Sequence, residues 1–519
     1  GYLGPKETAA SAMALSVLRP PAAELAPSLP ARHARRSGPQ QGLSQRSPGV
    51  YAGAAALAFA AAAARRPKGH RQLTARSATE QDQWFSRQAE QRTSPSGAFA
   101  ERGLALLEEV EAPARKQEAF RYTDLEALLY GLPEDSSQPP EVDLDSTLVP
   151  LLEEVDEAYR LVFVDGELQS GLCRLPNGEG AFLGGFEALN GSGEETKGRF
   201  DSLLQQLPEV DLFEANPKDR LGCAKLAALN QAVFKDAACV ALHEDAPETR
   251  MDIVFATTGA RATAPRVVLD VGPGSKLKVL ETHLSLSESD EALSNGLCRV
   301  VAGEGAEVHH EVIQQKAGGA RWVQSVMAEV AEGASYSLRS VQSGSRAARL
   351  NAAVALGGEK SFGELTGVML ADTKQQLDLH SLIHHSVPSC RSKQQHKNLV
   401  GGSAECIFKG TIRVDAEAQQ TESSQLVRSL LLTKKSKVKA MPSLQIQADD
   451  VSCSHGAALT QLDKDELFYL ASRGLDGRDA RRLMLAGFPT DLLDGLKDFA
   501  PKAHQRVLEK LASMAESSD

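Results

Sequence analysis

The spacing of apolar residues divides the chain into a helical first part, a strand-rich middle and a helical tail. Over 79–150 apolar positions recur at helical spacing, most clearly across 99–110. Residues 136–140, Ser-Ser-Gln-Pro-Pro, read as a loop. Leu161-Val-Phe-Val-Asp-Gly-Glu-Leu alternates instead and predicts a short hairpin with Asp165 and Gly166 at its turn. Residues 196–235 return to helix, with Leu226, Leu229 and Val233 on one stripe. From about Asp252 short strands follow one another, around Val267, Leu277, Arg299, Val308, Val323 and Tyr336. Between them a turn of small residues recurs, as Gly272-Pro-Gly, Gly303-Glu-Gly, Glu332-Gly-Ala and Gly357-Gly-Glu-Lys-Ser-Phe. Its glycines, Gly274, Gly305 and Gly333, are 31 and 28 residues apart. A loose period of that length with two or more strands per repeat predicts a solenoid. Stacked coils bury a narrow apolar core, which suits an aromatic content of only 5%. A β-sandwich is the alternative, although two-residue hairpin turns are scarce in this stretch.

Beyond Cys453 the helical rhythm resumes. Asp463 is placed to cap a helix, with Glu466 completing a capping box, and Gly474 to end it. Leu467, Phe468, Leu470 and Ala471 give that helix an apolar face. A second helix is expected over 478–486 and a third over 492–514, with a break near Pro501. Such a tail must pack either on the body of the chain or on a partner. The expected divisions are therefore a leader at 1–78, a mostly helical domain at 79–245, a β-helix at 246–455 and a helical domain at 456–519.

Charge sets the leader apart. Residues 14–78 hold ten Lys or Arg and one acid, Glu24, and 50–64 form an Ala-rich apolar run before Arg65 and Arg66. That run is too short and too weakly apolar for a membrane span, and a basic, acid-poor leader reads as a targeting presequence without fixed structure. The chain begins at Gly1 rather than Met, so further residues are expected ahead of it. Without the leader, 46 basic and 66 acidic residues leave a net charge of about −20. Such a surface argues against nucleic acid or anionic membrane as partners. The seven cysteines are scattered, with no CxxC pair, so neither a disulfide framework nor a zinc finger is indicated.

Candidate chemistry is sparse. Gly357-Gly-Glu-Lys-Ser lacks the spacing of a phosphate loop, and no nucleotide site is assigned. His309-His-Glu lacks the second histidine of a zinc-protease motif and sits in a strand pattern. His380 and His384 share a face but have no cysteine or carboxylate set in register. Cys453 and His455 are the one thiol and imidazole two residues apart. On a strand they point the same way and offer sulfur and nitrogen to iron or zinc. A buried cysteine beside a capping histidine is the competing reading.

The stretch Asp449-Asp-Val-Ser-Cys-Ser-His-Gly-Ala resembles the C-terminal signature of the SufB/SufD family, scaffold subunits of the SUF iron–sulfur cluster assembly machinery, in its SufD form. Further resemblance lies in Leu467-Phe-Tyr-Leu, in Ala480-Arg-Arg-Leu-Met-Leu-Ala-Gly-Phe, in Asp378-Leu-His-Ser and in Glu118-Ala-Phe-Arg-Tyr-Thr-Asp-Leu. The match is dense after 376 and patchier before 300. It implies a mainly β fold, a right-handed parallel β-helix flanked by N-terminal and C-terminal α-helical domains. It implies a non-catalytic scaffold, paired through its β-helix with a SufB subunit, on which ATP hydrolysis by SufC drives assembly of nascent clusters. Leu467, Phe468, Tyr469, Arg473, Leu483 and Phe488 would then dock SufC. His455, with Cys453 the less certain partner, would offer ligands to a transient iron–sulfur cluster shared with SufB. Flavin binding stays open, as does self-pairing into a homodimer when SufB is absent. A basic leader on such a chain implies a plastid stroma, with mitochondria as the alternative. The rivals are a β-helix carbohydrate-active enzyme and a purely structural partner.

Overall fold

The computed structural model describes residues 77–90, 97–132, 142–153, 158–175, 181–206, 221–259 and 262–517. The leader expected over 1–78 lies outside them except for its last two positions, as does the loop expected at 136–140.

Strands alternate in sequence between two sheets. One sheet runs from Val451–Gln461 through Thr421–Leu431, Arg391–Val400, Phe362–Ala371, Ser335–Gln342, Glu307–Gln315, Lys276–Ser285 and Thr249–Thr257 to Tyr159–Val164, all parallel. The other runs from Lys437–Ile446 through Glu405–Val414, Gln376–His385, Ala347–Leu356, Arg321–Val330, Leu293–Ala302 and Arg266–Val271 to Ala238–Leu242, again parallel. Neighbours within a sheet are two strands apart in the chain, so each pair of strands makes one coil of a parallel β-solenoid. The predicted hairpin forms, pairing Phe163 with Leu168 across a turn in which Asp165 and Gly166 have φ of 48° and 84°.

The register explains the glycine period. Glu307 pairs with Lys276, 31 residues back, and with Ser335, 28 residues on. Gly274, Gly305 and Gly333 occupy one corner of successive coils with φ of 68°, 66° and 65°. Each donates its amide to a carbonyl on the next coil, Glu304, Glu332 and Glu359, at 2.9 Å. The corner is thus hydrogen-bonded like the sheets and demands a left-handed residue, which glycine adopts without strain. The same corner continues in Lys360, Ser389 and Gln420, at φ of 59°, 62° and 58°. The solenoid therefore outlasts its visible glycine repeat.

Between the sheets lies a core of Val, Leu, Ile and Ala, with Trp322, Tyr336 and Phe408 its bulkiest members. Helices cover both outer faces. Ala78–Ala89, Gly97–Glu109 and Ala224–Val233 bring Trp84, Phe85, Leu107 and Leu226 against Leu293, Val323 and Ala347 of the nine-stranded sheet. Thr490–Phe499 and Pro501–Ser517 lay Leu492, Leu496, Val507 and Leu511 on Leu280, Ile313, Val341 and Val368 of the ten-stranded sheet. The break expected near Pro501 is the junction of these two helices, where proline starts the second without losing a bond. Asp463 caps its helix through the amide of Asp465 at 2.8 Å, two residues on rather than the three a capping box uses.

Two of the quoted motifs hold each other. Arg349 is completely buried and reaches Asp378 Oδ2 at 2.9 Å, Ala119 O at 2.9 Å, Thr123 Oγ1 at 3.0 Å and Leu221 O at 2.6 Å. Its guanidinium also lies 4.5 Å from the ring centre of Phe120. Thr123 donates to Asp378 at 2.7 Å. The Phe-Arg-Tyr-Thr-Asp segment is thus a peg, and Asp378 with Arg349 its socket. Burial works to raise the Asp378 carboxyl, but the Arg349 charge and the bonds from His380 and Thr123 hold it at about 2. The seven cysteines are all free thiols. Among the described residues no helix is long and apolar enough to cross a membrane.

Candidate functional site

The solenoid stops at Val451–Gln461, the edge strand of the ten-stranded sheet, facing Lys437–Ile446, the edge of the other. Interior strands have a coil on each side, whereas these have one. Their outer amides and carbonyls are therefore free of ladder partners, and side chains that would be core elsewhere meet solvent. Leu459 is 57% exposed and Ile446 39%.

Cys453 and His455 sit on this edge strand, opposite Ser423 and Gln425 of the preceding coil. Both point inward, but inward here means the open end of the core. Cys453 is half-buried against Ile412, Val414, Ala418 and Ala448, and burial pushes its thiol up despite a bond with the backbone of Ser423. His455 is exposed. Behind it the side chains of Gln425 and Gln394 are hydrogen-bonded, and Gln394 donates to Ser381 Oγ at 2.9 Å. The terminal coil thus presents an accessible imidazole, with a shielded sulfur two residues away, backed by fixed amides.

The chain turns directly from this strand into the helix Lys464–Ser472, which buries none of its residues. Phe468 is 75% exposed and Tyr469 55%, with Arg473 stacked 5.3 Å from the Tyr469 ring centre. Leu467 is half-buried. Leu483, on the next helix Gly477–Gly487, is 45% exposed. Phe488 differs, packing half-buried against the helical cover with Lys397 Nζ 5.3 Å from its ring centre. Four of the six residues assigned to docking therefore form an exposed group, and two are partly committed to the chain itself.

His380 and His384 share an outward face, as alternation predicts. His380 bonds Asp378 at 2.9 Å and His384 bonds Asp415 at 2.7 Å, so both are held within the chain. A second polar cluster escapes sequence reasoning. Deep inside the solenoid, Glu281, Cys298 and His310 bring a carboxylate oxygen, Sγ and a ring nitrogen within 4.8 Å of one another. They come from three strands and share no motif. Only the strand register, unknowable from spacing, unites them.

Residues 254–488 match the family model described as SUF system FeS cluster assembly, SufBD core domain. The chain is 29% identical over 394 residues to Protein ABCI7, chloroplastic, of Arabidopsis thaliana, covering 74% of this chain and 78% of that one. It is 27% identical over 418 residues to Iron-sulfur cluster assembly protein SufD of Escherichia coli, covering 79% and 91%. A SufBD family protein of Synechocystis is 31% identical over 237 residues, 44% of this chain and 52% of its own length. The parallel solenoid, the terminal Cys-Ser-His-Gly strand and these likenesses agree: residues 254–488 form a SufBD core domain, and the chain is similar to iron–sulfur cluster assembly proteins that carry it.

Proposed function

We propose that this chain is a non-catalytic scaffold subunit that builds nascent iron–sulfur clusters together with a SufB-like subunit and the SufC ATPase. The observation that carries the proposal is the open last coil, where an exposed His455 lies on an unpaired sheet edge beside a helix that buries nothing. A second β-helix set against the two free edges would complete their hydrogen bonding. It would also enclose His455 and Cys453 between subunits. The imidazole of His455 then donates a ring nitrogen to iron of the assembling cluster, which is cargo rather than a resident group. Gln425, its neighbour in register, is placed to orient the ring. Cys453, partly screened by packing, is the subsidiary donor or a filler of the last coil.

Phe468, Tyr469, Arg473 and Leu483, with Leu467 and Phe488 at their margin, form the docking face for the ATPase. Hydrolysis belongs to that partner. The basic leader and the likeness to a chloroplastic relative support a plastid location.

The test is His455→Ala in the complete three-subunit complex. Assembly should be retained on a sizing column, while iron and acid-labile sulfide per complex fall at least about tenfold after reconstitution. An undiminished cluster yield would leave the chain a purely structural partner.

A further inference from the structure

The middle of the solenoid holds a donor set that the terminal coil does not use. Glu281 on Lys276–Ser285, Cys298 on Leu293–Ala302 and His310 on Glu307–Gln315 all point into the core and are essentially completely buried. His310 lies in the same inward column as His455, through Leu338, Leu365, Gln394 and Gln425. Five strand spacings separate the two histidines, roughly 24 Å along the axis.

The groups around the set are arranged as a supporting shell. Glu281 Oε1 is bonded to His283 Nε2 and Gln324 Nε2, each at 2.7 Å, and Oε2 to His310 Nε2 at 3.1 Å. Tyr336 Oη is bonded to His310 Nδ1 at 3.0 Å, which fixes the ring with Nε2 toward the carboxylate. Three further polar atoms in this interior, His283 Nδ1, Gln324 Oε1 and Trp322 Nε1, are buried without a hydrogen-bond partner. Apolar residues of the same size would fill this space without that cost, so the polarity calls for an explanation.

We propose that Glu281, Cys298 and His310 form a buried binding site for one divalent transition ion of the zinc–iron class. Nitrogen, sulfur and oxygen donors are the set such ions accept. Two donors on one tetrahedral ion, each about 2.0–2.3 Å away, lie roughly 3.3–3.8 Å apart. The 3.1 Å between His310 and Glu281 already falls close to that range, and Cys298 needs only a small approach. The charges close as well. A carboxylate, a thiolate and a neutral imidazole neutralise one divalent cation, so the loaded site adds no net charge to the core. Loading releases the Cys298 thiol proton to solvent. The His310 proton moves from Nε2 to Nδ1, where Tyr336 Oη accepts it. Three protein donors leave the fourth position of the ion open.

The experiment uses the whole chain produced with added Zn2+ or, anaerobically, with added Fe2+. Each preparation is washed with chelator and its metal measured by inductively coupled plasma mass spectrometry. The unaltered chain and Cys406→Ser should hold about one ion, and the ion found under the two regimes identifies the metal. Cys298→Ser and Glu281→Gln should hold at least about tenfold less while keeping the circular dichroism of the parent. An unaltered chain without metal under both regimes overturns the site, as do variants that bind like the parent. Should the variants not fold, the unaltered chain grown with Co2+ decides. A thiolate-to-cobalt charge-transfer absorption supports the site and its absence refutes it.

Discussion

The closed middle of the solenoid and its open last coil are built from the same repeat but have opposite fates. In the middle, Arg321–Val330 has a strand on each side, and nine of its ten residues are buried, eight of them in one unbroken stretch. Helices lie over both outer faces there. At the end, Val451–Gln461 has one neighbour and no fully buried residue. The chain then continues into Lys464–Ser472, which also buries nothing, before its last two helices return to cover the sheet. Burial is what folding selects, whereas exposure of apolar residues beside a free edge is what a partner selects. The contrast predicts that substitutions in the middle cost stability and that substitutions at the end cost association.

The largest loss is expected at Asp378. Asp378→Ala leaves Arg349 as an uncompensated buried charge and should destabilise the chain by about 3–5 kcal/mol in urea titration. The same carboxyl sets an acid limit. Its folded value of about 2 lies below its ordinary 3.8. Its stabilisation is therefore whole above about pH 4 and is lost as pH falls toward 2. His380, which burial and the Arg349 charge hold at about 4, must remain neutral in the same socket and adds to that acid sensitivity. A melting profile of the Asp378→Ala variant as steep on the acid side as that of the parent would disprove the role of the socket.

Next in size is Leu496→Ala. Leu496 is completely buried between Thr490–Phe499 and the ten-stranded sheet. Removing its side chain should cost about 2–5 kcal/mol, depending on how far the helix settles into the gap. A cost below about 1 kcal/mol by the same titration would mean that the helix is not a structural cover. The contrast between the two ends of the tail would then fail.

Why some of this could be read in the sequence and some could not follows from the coil geometry. A left-handed corner leaves a glycine signature, so Gly274, Gly305 and Gly333 announced the solenoid and its period. Where Ser389 and Gln420 take the same corner, local spacing carries no mark. Cys453 and His455 were legible because both lie on one strand, where alternation fixes their common face. Glu281, Cys298 and His310 were not. They lie on three strands, 17 and 12 residues apart, and each corner resets which parity points inward. His309 and His310 illustrate the difficulty: adjacent in sequence, one faces solvent and the other the core.

The smallest effect on stability, and the sharpest test of the contrast, belongs to Phe468→Asp combined with Tyr469→Asp. Both side chains are already largely in water, at 75% and 55% exposure. Their helix keeps its Asp463 cap, and neither residue contributes to a buried cluster. The unfolding free energy of the isolated chain should move by no more than about 0.5 kcal/mol. Two acids introduced into the centre of an apolar docking face would instead be desolvated on association, a cost large enough to abolish capture of the ATPase. Capture of the SufB-like subunit should persist, because the free strand edges are untouched. A double variant that melts as low as Leu496→Ala would show that the helix is packed rather than presented. One that still retains the ATPase would move the docking face elsewhere on the chain.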